Sequence, residues 1–343
     1  MNPLPSLLLL AGQAGAVTDD RPASPVYERV LLISVDGLRS DALEGPYREK
    51  LPGFQRFLEH GASTLNARTD PDFTNTLPNH TSMLTGRLVL GDDGHAWTEN
   101  DDPEKGSTLH GNKGDYLASV FDVASDREVG TVLLAGKSKF RLFDTSWDDE
   151  HGAPDRSSPD SGRDKLDRFL VIDELEEITS KALEALDSGE RQLVFVHYAA
   201  PDHAGHSSGW DLSPDSRYVK AVRAIDRELA RLLEELGDDG STAIVLTADH
   251  GGGASKRDHS DAEERLNYRI PFLVWTGADD RARDLYELNE SSRADPGAAQ
   301  HASDAPGPPP IRNGDAANLA LDLLGLPPVP GSTINPRQDL RVH

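Results

Sequence analysis

Hydrophobic positions along the chain alternate between two patterns. Residues 30–35 (VLLISV) form a nearly continuous apolar run that stops at Asp36-Gly37. A run of that length bounded by a turn signal reads as a strand covered on both faces, as in a parallel sheet. The pattern returns at 129–135 (VGTVLLA), 193–198 (LVFVHY), 242–247 (TAIVLT) and 270–275 (IPFLVW). Between these runs the spacing lengthens to that of a helix. Leu51, Phe54, Phe57 and Leu58 share one face and end at Gly61. Helices are predicted also over 79–85, 116–124, 169–186 and 315–324. Another runs over 218–236, with Val219, Val222, Ile225, Leu229, Leu232 and Leu233 on one side. Two stretches lack either period. Residues 144–164 are rich in Asp, Ser, Pro and Gly and read as a loop or the rim of a cap, and 277–310 reads as mostly irregular. Strands alternating with helices predict βαβ units and a mostly parallel sheet. In such sheets ligands bind beyond the carboxyl ends of the strands.

Five short fragments carry metal-ligating or nucleophilic groups. They are Asp36 in LLISVDG, Thr76 in TNTLPNH, Asp202 and His206 in YAAPDHAGH, Asp249-His250 in LTADHGG, and His259 in RDHSD. Each has an ordinary reading when taken alone. An Asp before Gly is a turn residue, a Thr before a helix is a cap, and a loop His faces solvent. Thr74 is a second hydroxyl two residues before Thr76. Asp202 and His206 are four apart and fall on one face of a helical turn. Gly251, Gly252 and Gly253 free the backbone so that Asp249 and His250 can turn toward one region. Three of the fragments fall at the ends of predicted strands. Together they supply three Asp, three His and a hydroxyl, the ligand stock of two adjacent divalent cations with an alcohol nucleophile between them.

Composition narrows the partners. The 343 residues carry a formal net charge of −24, which disfavours a nucleic-acid backbone as partner. A small phosphorylated substrate still fits, because bound cations set the local field. The absence of Cys excludes disulfides, thiolate metal sites and a nucleophile made from Cys. No Walker A sequence appears. Residues 4–11 are apolar and Ala14-Gly15-Ala16 has small-x-small spacing, which reads as an atypical export signal or a disordered tail over 1–25. No run is long enough to span a bilayer.

The order Asp, Thr, Asp-x-x-x-His, Asp-His, His resembles the alkaline phosphatase superfamily, and within it the type I phosphodiesterase/nucleotide pyrophosphatase branch. The resemblance runs from about Val30 to Gly331 and includes the tail IRNGDAANLALDLLGLPPVPG. It implies a three-layer α/β/α core with a mostly parallel sheet and a small inserted cap or loop region, in a single catalytic domain over 26–343. It also implies two divalent ions, with Zn²⁺ suited to the O and N donors. Asp202, His206 and His259 would hold one; Asp36, Asp249, His250 and the oxygen of Thr76 would hold the other. TLPNH matches the family's Thr-(Phe/Leu)-Pro-Asn-His, so the resemblance picks Thr76 as the nucleophile of a covalent phospho-threonine mechanism. Asn100, closing GHAWTEN, would bind a phosphoryl oxygen, although Gly94-His95-Ala96 departs from the family's His-Gly. The implied activity is phosphodiester or nucleotide pyrophosphate hydrolysis, with a phosphate monoesterase as the alternative. Lys137 and Lys139 are solvated side chains or, if they reach the phosphate, favour the monoester. A periplasmic or secreted location is expected, with the cytoplasm as the alternative.

Overall fold

The computed structural model describes residues 27–156, 162–237, 240–253, 257–277, 281–300 and 306–343. The expected export signal lies outside the described residues. In chain order the main elements are β1 (Arg29–Val35), α1 (Pro52–His60), β2 (Ala62–Arg68), α2 (Thr76–Thr85), α3 (Val120–Ser125) and β3 (Gly130–Ala135). They continue with α4 (Arg141–Ser146), β4 (Arg168–Val171), α5 (Leu175–Leu186), β5 (Gln192–Tyr198), α6 (Ala200–Ser208) and α7 (Arg217–Leu236). The last are β6 (Thr242–Thr247), β7 (Arg269–Trp275), β8 (Arg283–Asp284) and α8 (Asp315–Leu323).

One eight-stranded sheet runs in the order β4-β3-β5-β1-β6-β7-β2-β8. The centre is parallel, with β1 paired to β5 from Arg29↔Gln192 to Val35↔Tyr198 and to β6 from Arg29↔Thr242 to Ser34↔Thr247. Every residue of β5 and β6 is buried, as the continuous apolar runs require. Helices α2, α3 and α8 pack together on one face of the sheet, and α1, α5, α6 and α7 on the other. The fold is therefore the expected α/β architecture with a mostly parallel sheet.

Only β7 runs against its neighbours, antiparallel to both β6 and β2. This reversal matters for the site. The carboxyl ends of β5, β1 and β6 lie side by side, and an antiparallel β7 begins at that same edge. The loop preceding β7, which holds His259, is delivered there. β2 regains the direction of β6, so its end also feeds this edge through the loop leading to α2.

Several predicted elements need correction. The helix expected over 169–186 is β4 followed by α5. Phe169, Leu170 and Val171 extend the sheet by pairing with Leu133, Leu134 and Ala135, and the edge position leaves β4 only partly covered. The helix expected over 116–124 starts at Val120, because Ser119 and Asp122 form a capping box there. The helix expected over 79–85 starts three residues earlier, so Thr76 is its first residue. β2 is an additional strand, and α4 enters the 144–164 stretch. Among the described residues, no helix is long and apolar enough to cross a membrane.

Candidate active site

Asp36, Asp202 and Asp249 are 0 %, 1 % and 0 % exposed. Each has one oxygen held by the protein and one left bare. Asp249 Oδ1 accepts from the backbone N–H of Gly37 (3.1 Å) and of His250 (2.9 Å). Asp36 Oδ2 accepts from His197 Nε2 (2.8 Å) and Lys137 Nζ (2.6 Å). Asp202 Oδ2 accepts from the same ammonium at 2.6 Å. The opposite oxygens, Asp36 Oδ1, Asp202 Oδ1 and Asp249 Oδ2, are buried without a hydrogen-bond partner, and so is His250 Nε2. Buried polar atoms are normally satisfied, so four orphans in one place call for a ligand.

The histidines show the same division. His206 Nδ1 donates to the Arg257 carbonyl (2.9 Å), His259 Nδ1 to the Thr74 carbonyl (2.6 Å) and His250 Nδ1 to the Gly251 carbonyl (2.9 Å). With the proton fixed on Nδ1, each Nε2 presents a lone pair to the site, the arrangement that metal-ligating imidazoles use. The atoms then fall into two groups. Asp202 Oδ1 lies 3.4 Å from His206 Nε2 and 3.8 Å from His259 Nε2, and the two Nε2 atoms are 3.2 Å apart. His250 Nε2 lies 3.4 Å from Asp36 Oδ1 and 3.3 Å from Asp249 Oδ2. Four ligands around a cation at about 2.0–2.1 Å stand roughly 3.3–3.4 Å apart. Two lone pairs facing each other at 3.2 Å would repel unless a cation lay between them. The donor sets therefore fit two divalent cations, one at Asp202, His206 and His259 and one at Asp36, Asp249 and His250.

Electrostatics agree with this geometry. Burial pushes His250 down to about 3 and lowers His259, so both rings are neutral lone-pair donors at neutral pH; burial lowers His197 too, and its neutral ring donates from Nε2 to Asp36. Burial acts to raise Asp36, but the Lys137 ammonium and the hydrogen bond from His197 outweigh it and hold that carboxyl well below its usual range. Asp249 is driven up by burial and by the carboxylates of Asp36 and Asp202, a clustering of negative charge that bound cations would relieve.

Thr76, 1 % exposed, opens α2. Its carbonyl accepts from His80 Nδ1 (2.7 Å), and the same nitrogen lies 3.7 Å from Asp249 Oδ2. His80 Nε2 in turn accepts from Ser34 on β1 (2.8 Å). The preceding loop is pinned by Asn79, whose Oδ1 accepts from the Asp70 N–H and from Asn313 and whose amide nitrogen donates to the Phe73 and Asn75 carbonyls. Thr74 is occupied otherwise. Its hydroxyl donates to the His259 carbonyl at 2.5 Å, so the rival hydroxyl buttresses a ligand loop. Asn100 Oδ1 accepts from the N–H of Leu77 at 3.0 Å, which places its amide beside Thr76. Lys139 Nζ donates to the Asn100 carbonyl. His203, exposed on α6, stays apart from both groups.

Two further side chains support the centre, Lys137, which the sequence left as solvated or phosphate-facing, and Trp210. Lys137 is 12 % exposed and ion-paired to a carboxylate of each group. Its signal was position, since it follows the end of β3, the neighbour of β5. Trp210 carried no local signal. Its indole N–H donates to the Gly37 carbonyl (3.0 Å), and its ring stacks edge-on to His206 and His259. Gly205 and Gly252 leave room for that ring: a Cβ on either would sit 2.2 Å or 2.1 Å from it. One buried tryptophan thus fixes the loops after β1, β5 and β6.

Comparison with known proteins gives the family and the fold. The model of the type I phosphodiesterase/nucleotide pyrophosphatase family matches residues 30–90 and 113–288. The chain belongs to that family. It is similar to GPI ethanolamine phosphate transferase 1 of Yarrowia lipolytica, with 28 % identity over 74 % of this chain and 27 % of that protein. It is similar also to the 2,3-bisphosphoglycerate-independent phosphoglycerate mutase of Halobacterium salinarum, with 40 % identity over 28 % of this chain and 18 % of that protein. The chain spans about a quarter or less of the length of these two relatives. Among solved structures, a protein of the alkaline phosphatase superfamily from Vibrio parahaemolyticus superposes with a TM-score of 0.55 at 14 % identity, over 90 % of this chain and 68 % of the other. Murine ectonucleotide pyrophosphatase/phosphodiesterase 5 gives 0.54 at 16 % identity, over 92 % of this chain and all of the other (100 %). At these identities the structures speak to the fold.

Proposed function

We propose that the chain is a metal-dependent phosphohydrolase that cleaves phosphodiester or nucleotide pyrophosphate bonds, with Thr76 as nucleophile. The observation that carries this reading is the set of four orphaned ligand atoms beside the N-terminus of α2. Asp202, His206 and His259 would hold one divalent cation, and Asp36, Asp249, His250 and Thr76 Oγ1 the other, with Zn²⁺ suited to both donor sets. When bound, such cations supply Lewis acidity, favour the alkoxide of Thr76 and neutralise charge developing on the phosphoryl oxygens.

The chain's own groups do the rest. Thr76 Oγ1 forms a bond to phosphorus as the bond from phosphorus to the leaving oxygen breaks, and the proton of the hydroxyl leaves with the departing group or to solvent. The product is a phospho-threonine or nucleotidyl-threonine ester. Water then attacks the same phosphorus, the P–Oγ1 bond breaks and the hydroxyl is restored. The positive end of α2 favours both the attacking oxygen and a bound phosphoryl group. Asn100 spends its side-chain Oδ1 on the Leu77 N–H, which aims its amide nitrogen as a donor for a phosphoryl oxygen.

The family match and the neutral Asn100 support the diester. Turnover of bis-p-nitrophenyl phosphate and p-nitrophenyl phosphate by one metal-loaded preparation tests it, with a higher kcat/KM expected for the diester. Lys137 favours a second reading, phosphate monoester hydrolysis, because a dianion gains more from an added cation. A strong monoester preference that Lys137→Ala abolishes would install that second reading. A periplasmic or secreted location accompanies the proposal, supported by the apolar run at 4–11, and cell fractionation tests it.

A further inference from the structure

Lys137 joins the two halves of the centre. Its ammonium contacts Asp36 Oδ2 and Asp202 Oδ2 at 2.6 Å each. These are the oxygens that do not face the ligand groups; the bare Oδ1 atoms do. Among the described residues, three carboxylates, Asp36, Asp202 and Asp249, lie together almost wholly buried. Lys137 is the cation against two of them. Lys139 points elsewhere, to the Asn100 carbonyl. Two of the three N–H donors of Lys137 are spent on the carboxylates of Asp36 and Asp202.

We propose that Lys137 is a positioning residue, a resident counter-ion that keeps the two-metal centre assembled when metal is scarce and sets the rotation of Asp36 and Asp202 so that their Oδ1 atoms face the cations. This rests on the two-metal reading above but not on the substrate class. Its logic is charge balance. A buried carboxylate cluster is costly without a cation. Divalent ions supply that charge when bound, and Lys137 supplies part of it in their absence. Removing the ammonium therefore harms the metal-free protein more than the loaded one. By linkage, metal must then stabilise the variant by more than it stabilises the wild type.

The test is thermal unfolding of the full chain, wild type and Lys137→Met, each after chelation and each at saturating Zn²⁺. The expected result is a metal-free Tm lower than wild type on the order of 5–10 °C, a much smaller deficit with Zn²⁺, and so a larger Zn²⁺-induced rise in the variant. A variant that folds only when Zn²⁺ is present is the extreme of that result. Lys137→Gln, which keeps an N–H donor but carries no charge, should behave like Lys137→Met. An equal or smaller Zn²⁺-induced rise in the variant, failure to fold even with Zn²⁺, or a wild-type rise in Lys137→Gln would overturn the inference while leaving the two-metal reading in place. No Zn²⁺-induced rise in the wild type would instead remove the two-metal reading, and this inference with it.

Discussion

At the scale of single residues, the site separates two neighbouring hydroxyls by what each already does. Thr74 Oγ1 is committed to the His259 carbonyl, whereas Thr76 begins α2 next to Asn100 and His80. Thr76→Ala should retain fold and most metal binding while activity falls on the order of 10³–10⁶-fold. Thr74→Ala should act more mildly, through looser seating of His259. Steady-state rates and elemental analysis of both variants check this, and an inactive Thr74→Ala beside a near-normal Thr76→Ala would reverse the assignment. Asn100→Ala removes one donor and should lower diester turnover by about 10²-fold. Lys139→Ala should give a weaker version of the same loss, because Lys139 holds the Asn100 carbonyl. A Lys139→Ala loss well beyond that of Asn100→Ala would show that Lys139 acts on the substrate directly.

At the scale of elements, the strands with continuous apolar runs were legible, and so were the residues at their ends. Asp36, Asp202 and Asp249-His250 follow β1, β5 and β6, which the sheet order sets side by side. His259 was legible only through resemblance, because what brings it in is the antiparallel sense of β7, a tertiary fact with no local signature. β4 reads as helix from sequence because its four residues precede an amphipathic helix without a strong breaker, and its strand character comes from pairing with β3. Trp210 was invisible for a related reason. Its role depends on glycines at 205 and 252 that lie far apart in sequence and close in space. Gly252→Ala puts a methyl group 2.1 Å from the indole. It should destabilise the fold by about 1–3 kcal/mol and reduce bound metal. Denaturant unfolding and elemental analysis measure both. A variant with unchanged stability would show that Trp210 can shift without cost.

At the scale of the whole molecule, stability must depend on acid through groups outside the centre as well. His95 is fully buried, with Nδ1 accepting from the Trp97 N–H and Nε2 against Ser82. Burial lowers its pKa to about 3. The unfolded chain takes up that proton near pH 6.5 and the folded chain does not, so stability is intact above about pH 6.5 and declines as pH falls toward 3. This group alone should contribute a slope of up to about 1.4 kcal/mol per pH unit in that window. Unfolding curves of the wild type and His95→Gln between pH 7 and pH 4 should converge as the pH drops, and parallel curves would contradict the burial argument. The formal net charge of −24 adds a general self-repulsion near neutral pH. It makes the inward gathering of Asp36, Asp202 and Asp249 harder to explain without cations.

The central claim is that Thr76 carries the phosphoryl group during turnover at this centre. Rapid acid quench of metal-loaded protein mixed with bis-p-nitrophenyl phosphate, followed by peptide mass spectrometry, tests it most directly. The expected result is an added aryl-phosphoryl mass on the peptide containing Thr76, with fragmentation placing it on that residue and Thr76→Ala lacking it. Turnover accompanied by an adduct on Thr74, or by none under quench conditions that preserve threonine esters, would contradict it.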